Sequence, residues 1–447
     1  MKKLFCLPIV AMVMAMLSGC LDNGSPADPP SGFTATAGDG RVKLEWIPSP
    51  GVDYWLFTAT DPSLTAFNWT GLPNAHAYIS VATPFYMCGL FSGTPYYFAV
   101  NGRKDGGPGG ASSPTISATP YDASAAWTLN PTSLIQNIYG VGYASLTTCS
   151  NNATSAAGSF AAVGQGGAIF TSSDGQSWIP PTTPLSGFSS DLYAVAGYAA
   201  SLNNPGTLRW VAVGAGGASV YSADGGATWT AGNSSILTAQ PLRSVTQSAG
   251  TFVAVGDAGT ILSSTDGVTW NARTSGTVAN LNGIAHGTGY VAVGDSSTIL
   301  TSSDGNTWTT PTSWTPSLPF PALRKVTAFG SIIVAVGDSG TIVTSKDAGS
   351  TWVAQNLTGS PNLVGVAAEP HLVANDIVDS WLGVVPSIQF VAIDSSGNTY
   401  TTSSSATSTN GLTWSAAIST GISTNALVSS GFGYVAVGNS GATAHAF

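Results

Sequence analysis

Two arginines and three aspartates recur at matched places in this chain. Arg243 and Arg324 stand second in the related segments Leu242-Arg243-Ser244-Val245 and Leu323-Arg324-Lys325-Val326. Short Gly-rich turns nearby carry Asp257, Asp295 and Asp338. Other copies of the segment place Tyr139, Tyr193, Asn282 and Val364 where the arginines stand, and Trp314 lies in the long link TTPTSWTPSLPFPALR. A guanidinium grips a carboxylate through two parallel hydrogen bonds, and aromatic rings supply broad contact area. Gathered around one mouth, such residues make a binding surface rather than a reaction centre. The plainer alternative is that the arginines lie along strand starts while each aspartate completes its turn.

Other residue groups promise chemistry and withdraw it. Gly337-Asp338-Ser339-Gly340 resembles the nucleophile motif of chymotrypsin-like proteases, yet the equivalent turns read Gly256-Asp257-Ala258-Gly259 and Gly294-Asp295-Ser296-Ser297. Serine has no fixed place in that turn, and a triad also needs a histidine placed to take its proton. The stretch from Glu369 to Ser387 holds His371, Asp376, Asp379 and Trp381. Ligands drawn from one loop rarely complete a cation site, so a solvated loop explains them better. No Cys/His cluster, phosphate loop or cofactor fingerprint occurs, so neither metal nor cofactor is expected.

The elements that must position the rim residues come from a repeat. Each unit opens with Leu-x-x-Val and continues into a β run near Val-Ala-Val-Gly. The run occurs at Ala161–Gly164, Val211–Gly214, Val253–Gly256, Val291–Gly294, Val334–Gly337, Val391–Asp394 and Val435–Gly438. A Gly-rich turn and a strand such as GTILSS follow. Closing boxes of the type Ser-x-Asp-Gly-x-Thr-Trp end at Trp178, Trp229, Trp270, Trp308, Trp352 and Trp414. These boxes resemble the Asp-box, or BNR, repeat of sialidase-like β-propellers. The resemblance implies a seven-bladed propeller over residues 122–447, with the boxes on the face opposite the rim residues. Seven runs but six boxes leave the last blade unfinished, and Ala126-Trp127-Thr128-Leu129-Asn130-Pro131 reads as its missing outer strand. Closing the ring with both ends of the domain removes open sheet edges.

Two segments precede the repeat. Lys2 and Lys3, an apolar run to Leu17 and the ending Leu17-Ser18-Gly19-Cys20 resemble a bacterial lipoprotein signal, with Cys20 as the lipidated residue. Leu21 in place of an aspartate favours the outer membrane by the family's sorting rule. Residues 21–30 are a proline-rich linker. Residues 31–121 resemble a fibronectin type III domain, with Trp46 as its buried tryptophan and Tyr96 at the corner after Gly93-Thr94. The expected fold is therefore all-β, a fibronectin type III-like sandwich followed by a seven-bladed propeller. Signal removal takes Cys6, so Cys88 and Cys149 remain, either bridged or as two buried thiols.

Composition narrows the partners. Of 447 residues only 7% are charged, against roughly 25% in an ordinary domain, and the formal net charge is −9. That leaves no basic face for nucleic acid. It also starves an enzyme of tools. A sialidase grips its substrate carboxylate with three arginines and attacks with a Tyr–Glu pair. The propeller region holds only Arg209, Arg243, Arg273 and Arg324, and Glu369 is its one glutamate. The inventory weighs against an enzyme. The reading is a lipid-anchored cell-envelope protein whose propeller is a non-catalytic scaffold for an envelope or surface protein, or for a glycan. A resemblance to photosystem II assembly-factor propellers, which hold a protein client, favours the protein. The alternative is a carbohydrate-binding or sialidase-like glycoside hydrolase propeller.

Overall fold

Val, Thr and Ile at alternating positions suit a pleated strand buried on one or both faces far better than a helix. Strands and short 3-10 turns are what form. The computed structural model describes residues 25–446 apart from 39–40, 89, 91–92, 122–126, 131–133, 145–157, 184, 200–207, 233–237, 312–320, 372–386, 403–411 and 431–432. Cys20, Cys149, Trp314, Asp376, Asp379 and Trp381 lie outside the described residues, as do the side chains of Cys88, Glu369 and His371. The chain forms two compact units that part between Tyr121 and Asp122.

The first unit is a pair of antiparallel sheets. One contains Ser31–Gly38, Arg41–Ile47 and Phe85–Cys88; the other is built on Val52–Ala59 and Tyr96–Lys104. Alternating residues Val42, Leu44 and Trp46 meet Leu56, Phe98 and Val100 in a single core. Its remaining tryptophans pack. Trp69 lies 6.0 Å from the Phe57 ring, and the Arg103 guanidinium sits 3.5 Å above Trp55.

Among the described residues the second unit contains seven antiparallel sheets in chain order, each of three or four strands. The first strands are Ile138–Ala144, Leu192–Ala199, Leu242–Ser248, Leu281–His286, Leu323–Phe329, Leu363–His371 and Thr424–Ser429. Each packs against the next, and Thr424–Ser429 packs back against Ile138–Ala144. The unit is a β-propeller.

The repeated Val-Ala-Val-Gly follows from this packing. Both faces of every second strand are buried, so the run has no polar alternation. Val253 and Val255 point into the seam with the fourth sheet, while Ala254 points into the seam with the second. The same division holds for Val291, Val293 and Ala292, and for Val334, Val336 and Ala335. Large side chains from one sheet thus meet small ones from its neighbour. The closing glycine has a different cause. A Cβ on Gly256 would stand 2.1 Å from the Pro241 carbonyl oxygen, and on Gly337 the same distance from that of Ala322. Those carbonyls accept hydrogen bonds from Asp257 and Asp338, each 3.0 Å long.

Among the described residues every seam also receives a tryptophan from a box or its counterpart, the seam between the first and second sheets holding Trp210 besides. Trp229, Trp270, Trp308, Trp352 and Trp414 cover five successive seams, and Trp178 covers the one between the seventh and first sheets. The remaining seam is covered by Trp127. That residue enters with the segment lacking a blade of its own: Thr128–Leu129 pairs with Thr443–Ala446 as the fourth strand of the last sheet. Buried Asn130 fastens it, donating to Gly175 O at 3.1 Å and to Thr443 Oγ1 at 3.0 Å.

The boxes are turn caps. In Ser222–Trp229 the serine hydroxyl bonds Asp224 at 2.8 Å and accepts from the Gly226 amide, and Trp229 Nε1 donates to Gly226 O at 3.0 Å. Burial works against the charge on Asp224, but the hydroxyl and amide of Thr228 and the Ser222 hydroxyl outweigh it. The carboxyl is held below its ordinary pKa.

Candidate functional site

Strand order fixes two faces. The starts of the first strands share one face with the turns between second and third strands, and the boxes stand on the other. On the first face the pairing of first and second strands slips at one residue in every sheet. The shift between Leu242 and Ser244 leaves Arg243 unpaired; that between Leu323 and Lys325 leaves Arg324. Tyr139, Tyr193, Asn282, Val364 and Asn425 occupy the same slip in the other five sheets. A β-bulge turns its extra side chain away from the alternation of the strand. Seven bulges therefore present seven side chains along one rim.

Four of the seven bond the turn of their own sheet. Arg243 forks onto Asp257, with Nη2 donating to Oδ2 at 2.9 Å and Nε donating to Oδ1. Arg324 forks onto Asp338 at 2.9 and 2.6 Å, and its Nη1 lies 3.8 Å from Asp295 of the preceding sheet. Asn282 donates to Asp295 at 2.9 Å and Asn425 donates to Asn439 at 2.9 Å. Hydrogen bonding to Asp257 raises the Arg243 pKa against the opposing pull of burial, and Asp338 does the same for Arg324. Beside this charged arc the Tyr139 and Tyr193 rings meet across a seam at a tilt of 54°, their centres 5.9 Å apart. The rim residues named from the sequence are thus brought onto one face, except Trp314, which lies outside the described residues.

Residues of the next sheet hold the turns in place. Ala258 and Ser339 adopt left-handed φ values of 53° and 55° at the turn centres. The Ala258 amide donates to Asn280 Oδ1 and the Ser339 amide to Asn362 Oδ1, both at 3.0 Å. Asn137 does likewise for Ser440, and Asp191 for Gly166. Sequence reasoning missed these staples, although each stands directly before a first strand. It also passed over Lys325, which lines the central channel. The signal was present in the repeat: that position is Gly140, Ala194, Ser244, Gly283, Gly365 and Ala426 in the other sheets.

The chemistry available is recognition. Each arginine keeps about two-fifths of its side-chain surface exposed, 42% for both Arg243 and Arg324. Arg243 stands beside Asp257 and feels the charge of Tyr193, and Arg324 stands beside Asp338 and Asp295. Arg209 and Arg273 stand on other strands, the latter donating to Ser263 at 2.9 Å. Among the described residues no group of three His, Cys, Asp or Glu is placed to hold a metal ion.

Comparison with known proteins agrees on the fold. Residues 196–327 match a family described as the DUF6242 beta propeller domain. No protein of curated function matches the sequence. Among solved structures, that of YCF48 bound to a D1 peptide superposes with a TM-score of 0.52 at 16% identity, covering 72% of this chain and 96% of that one. Virginiamycin B lyase from Staphylococcus aureus gives a TM-score of 0.52 at 10% identity, covering 72% and 99%. At such identities the likeness concerns the fold: the chain is an all-β protein with a propeller domain.

Proposed function

We propose that this chain is a lipid-anchored protein of the bacterial cell envelope, held at the outer membrane through Cys20. Its seven-bladed Asp-box propeller binds another macromolecule without catalysing a reaction. The fibronectin type III-like unit and the proline-rich linker act as a spacer between membrane and propeller. The observation that carries the reading is the rim: bulges in all seven sheets direct side chains to one face, where Arg243, Arg324, Asn282 and three aspartates adjoin a tyrosine pair. Mixed charge, hydrogen-bonding capacity and aromatic area together suit a protein surface. The solved propeller described as bound to a D1 peptide supports a protein as the partner.

The test removes the two cations together. Arg243→Ala plus Arg324→Ala, with folding checked by circular dichroism, is compared with wild type in co-purification from native envelopes. Loss of one discrete set of envelope proteins, by tenfold or more, is the expected result. Undiminished recovery of that set, or release of sugar from polysaccharide by the purified wild type, contradicts the reading.

A further inference from the structure

The seven first strands enclose a central channel of about 330 Å³. Small residues narrow or open it: where six sheets carry Gly140, Ala194, Ser244, Gly283, Gly365 and Ala426, the fifth carries Lys325. Lys325 is the one Lys, Arg, Asp or Glu among the residues lining the channel. Among the described residues its ammonium has neither a hydrogen-bond nor an ion-pair partner. Lys325 is half-buried there, and a cation withdrawn from much of its water is costly unless something pairs with it. Ser244, Thr246 and Thr327 also line the channel; the Ser244 hydroxyl accepts from the Ile284 amide at 3.3 Å, and Val326 and Val366 beside them pack into the neighbouring seams.

We propose that the central channel is a binding site for a small organic monocarboxylate, its carboxylate paired with Lys325 and its uncharged body lying against the strand walls. The volume suits such a ligand, since small-molecule sites begin near 300 Å³. Wall hydroxyls can donate to the same oxygens. The other titratable groups facing the channel leave the lysine as its charge. They are Tyr143, Tyr193 and His286; burial pushes Tyr193 up and His286 down, so neither adds charge near pH 7. Burial, and then the charge of Arg243, depresses Lys325 to about 8. A bound carboxylate would reverse that depression. Tyr193 and Val364 border both sites, but pairing at Lys325 does not depend on the rim reading, and either can fail alone.

Benzoate and its uncharged analogue benzamide are the probes, with the full chain labelled at the lysine ε-carbon for NMR. Only six lysines are present, so the Lys325 signal is assignable by comparison with Lys325→Met. Benzoate is expected to raise the Lys325 titration midpoint by half a pH unit or more, leaving Lys43, Lys104 and Lys346 unmoved. Benzamide should not do so. Lys325→Met should weaken benzoate binding tenfold or more, whereas Lys325→Arg should retain it and lose the fall in affinity above pH 8. An unmoved Lys325 signal at saturating probe solubility, an equal response to benzamide, or undiminished binding by Lys325→Met overturns the proposal.

Discussion

Residues at adjacent repeat positions have opposite characters here because a bulge and its neighbour face different surroundings. Arg324 turns outward to the rim and is paired at once with Asp338. Lys325, next in sequence, faces the channel and is not paired among the described residues. Its free-energy consequence has a definite sign. The folded-state pKa, about 8, lies below the ordinary lysine value of 10.5, so the unfolded chain holds the proton more tightly. Native stability is therefore reduced at neutral pH and rises as pH increases from about 8 towards the unfolded value. Lys325→Met should be more stable than wild type at pH 7, by about 1–3 kcal/mol. Thermal melts at pH 7 and pH 10 check this: the gap should shrink at the higher pH, and a constant gap would exclude the desolvated cation as its cause. The rim arginines were legible in the sequence because they recur within it. Lys325 was harder to see, since a single departure from a column of small residues has no pattern of its own.

The elements show why the repeat reads as it does. Valine in Val-Ala-Val-Gly fits the strand by propensity, but alanine is a weak strand former and its presence needs another reason. Ala254 lies in a filled seam with Val211, Val213, Leu242 and Phe252. Ala254→Val should accordingly destabilise the propeller by about 1–3 kcal/mol, although strand propensity alone argues for a gain. Urea unfolding decides between them; a higher midpoint for the variant would show the seam to be slack. Strands, boxes and the outer strand around Thr128 were all legible, because two-face burial and turn capping impose strict residue choices. The bulges and inter-sheet staples were not. Both arise from how one sheet meets its neighbour, which a repeat seen in isolation does not display. In the sixth sheet Asp394 replaces the closing glycine, and its carboxylate instead accepts from the Ser396 and Asn398 amides at 2.9 Å.

At the scale of the molecule, closure and scarcity of charge belong together. A ring of sheets packed face to face buries nearly every second-strand residue, and this accounts for much of the 7% charged content. The final sheet takes its outer strand from Thr128–Leu129, so the domain is fastened by segments more than 300 residues apart, as the Asn130–Thr443 bond records. A framework locked in this way holds rim side chains in fixed positions. In the proposed function, partner binding uses the rim face and leaves the box face free. Photo-cross-linking in native cells tests it most directly. A photoreactive amino acid is placed at Tyr193 or exposed Ser339 on the rim, and at exposed Asn306 or Ser350 in the boxes. Discrete protein adducts from positions 193 and 339, with none from 306 and 350, are predicted. Adducts confined to the box positions, or equal from both faces, would contradict the account.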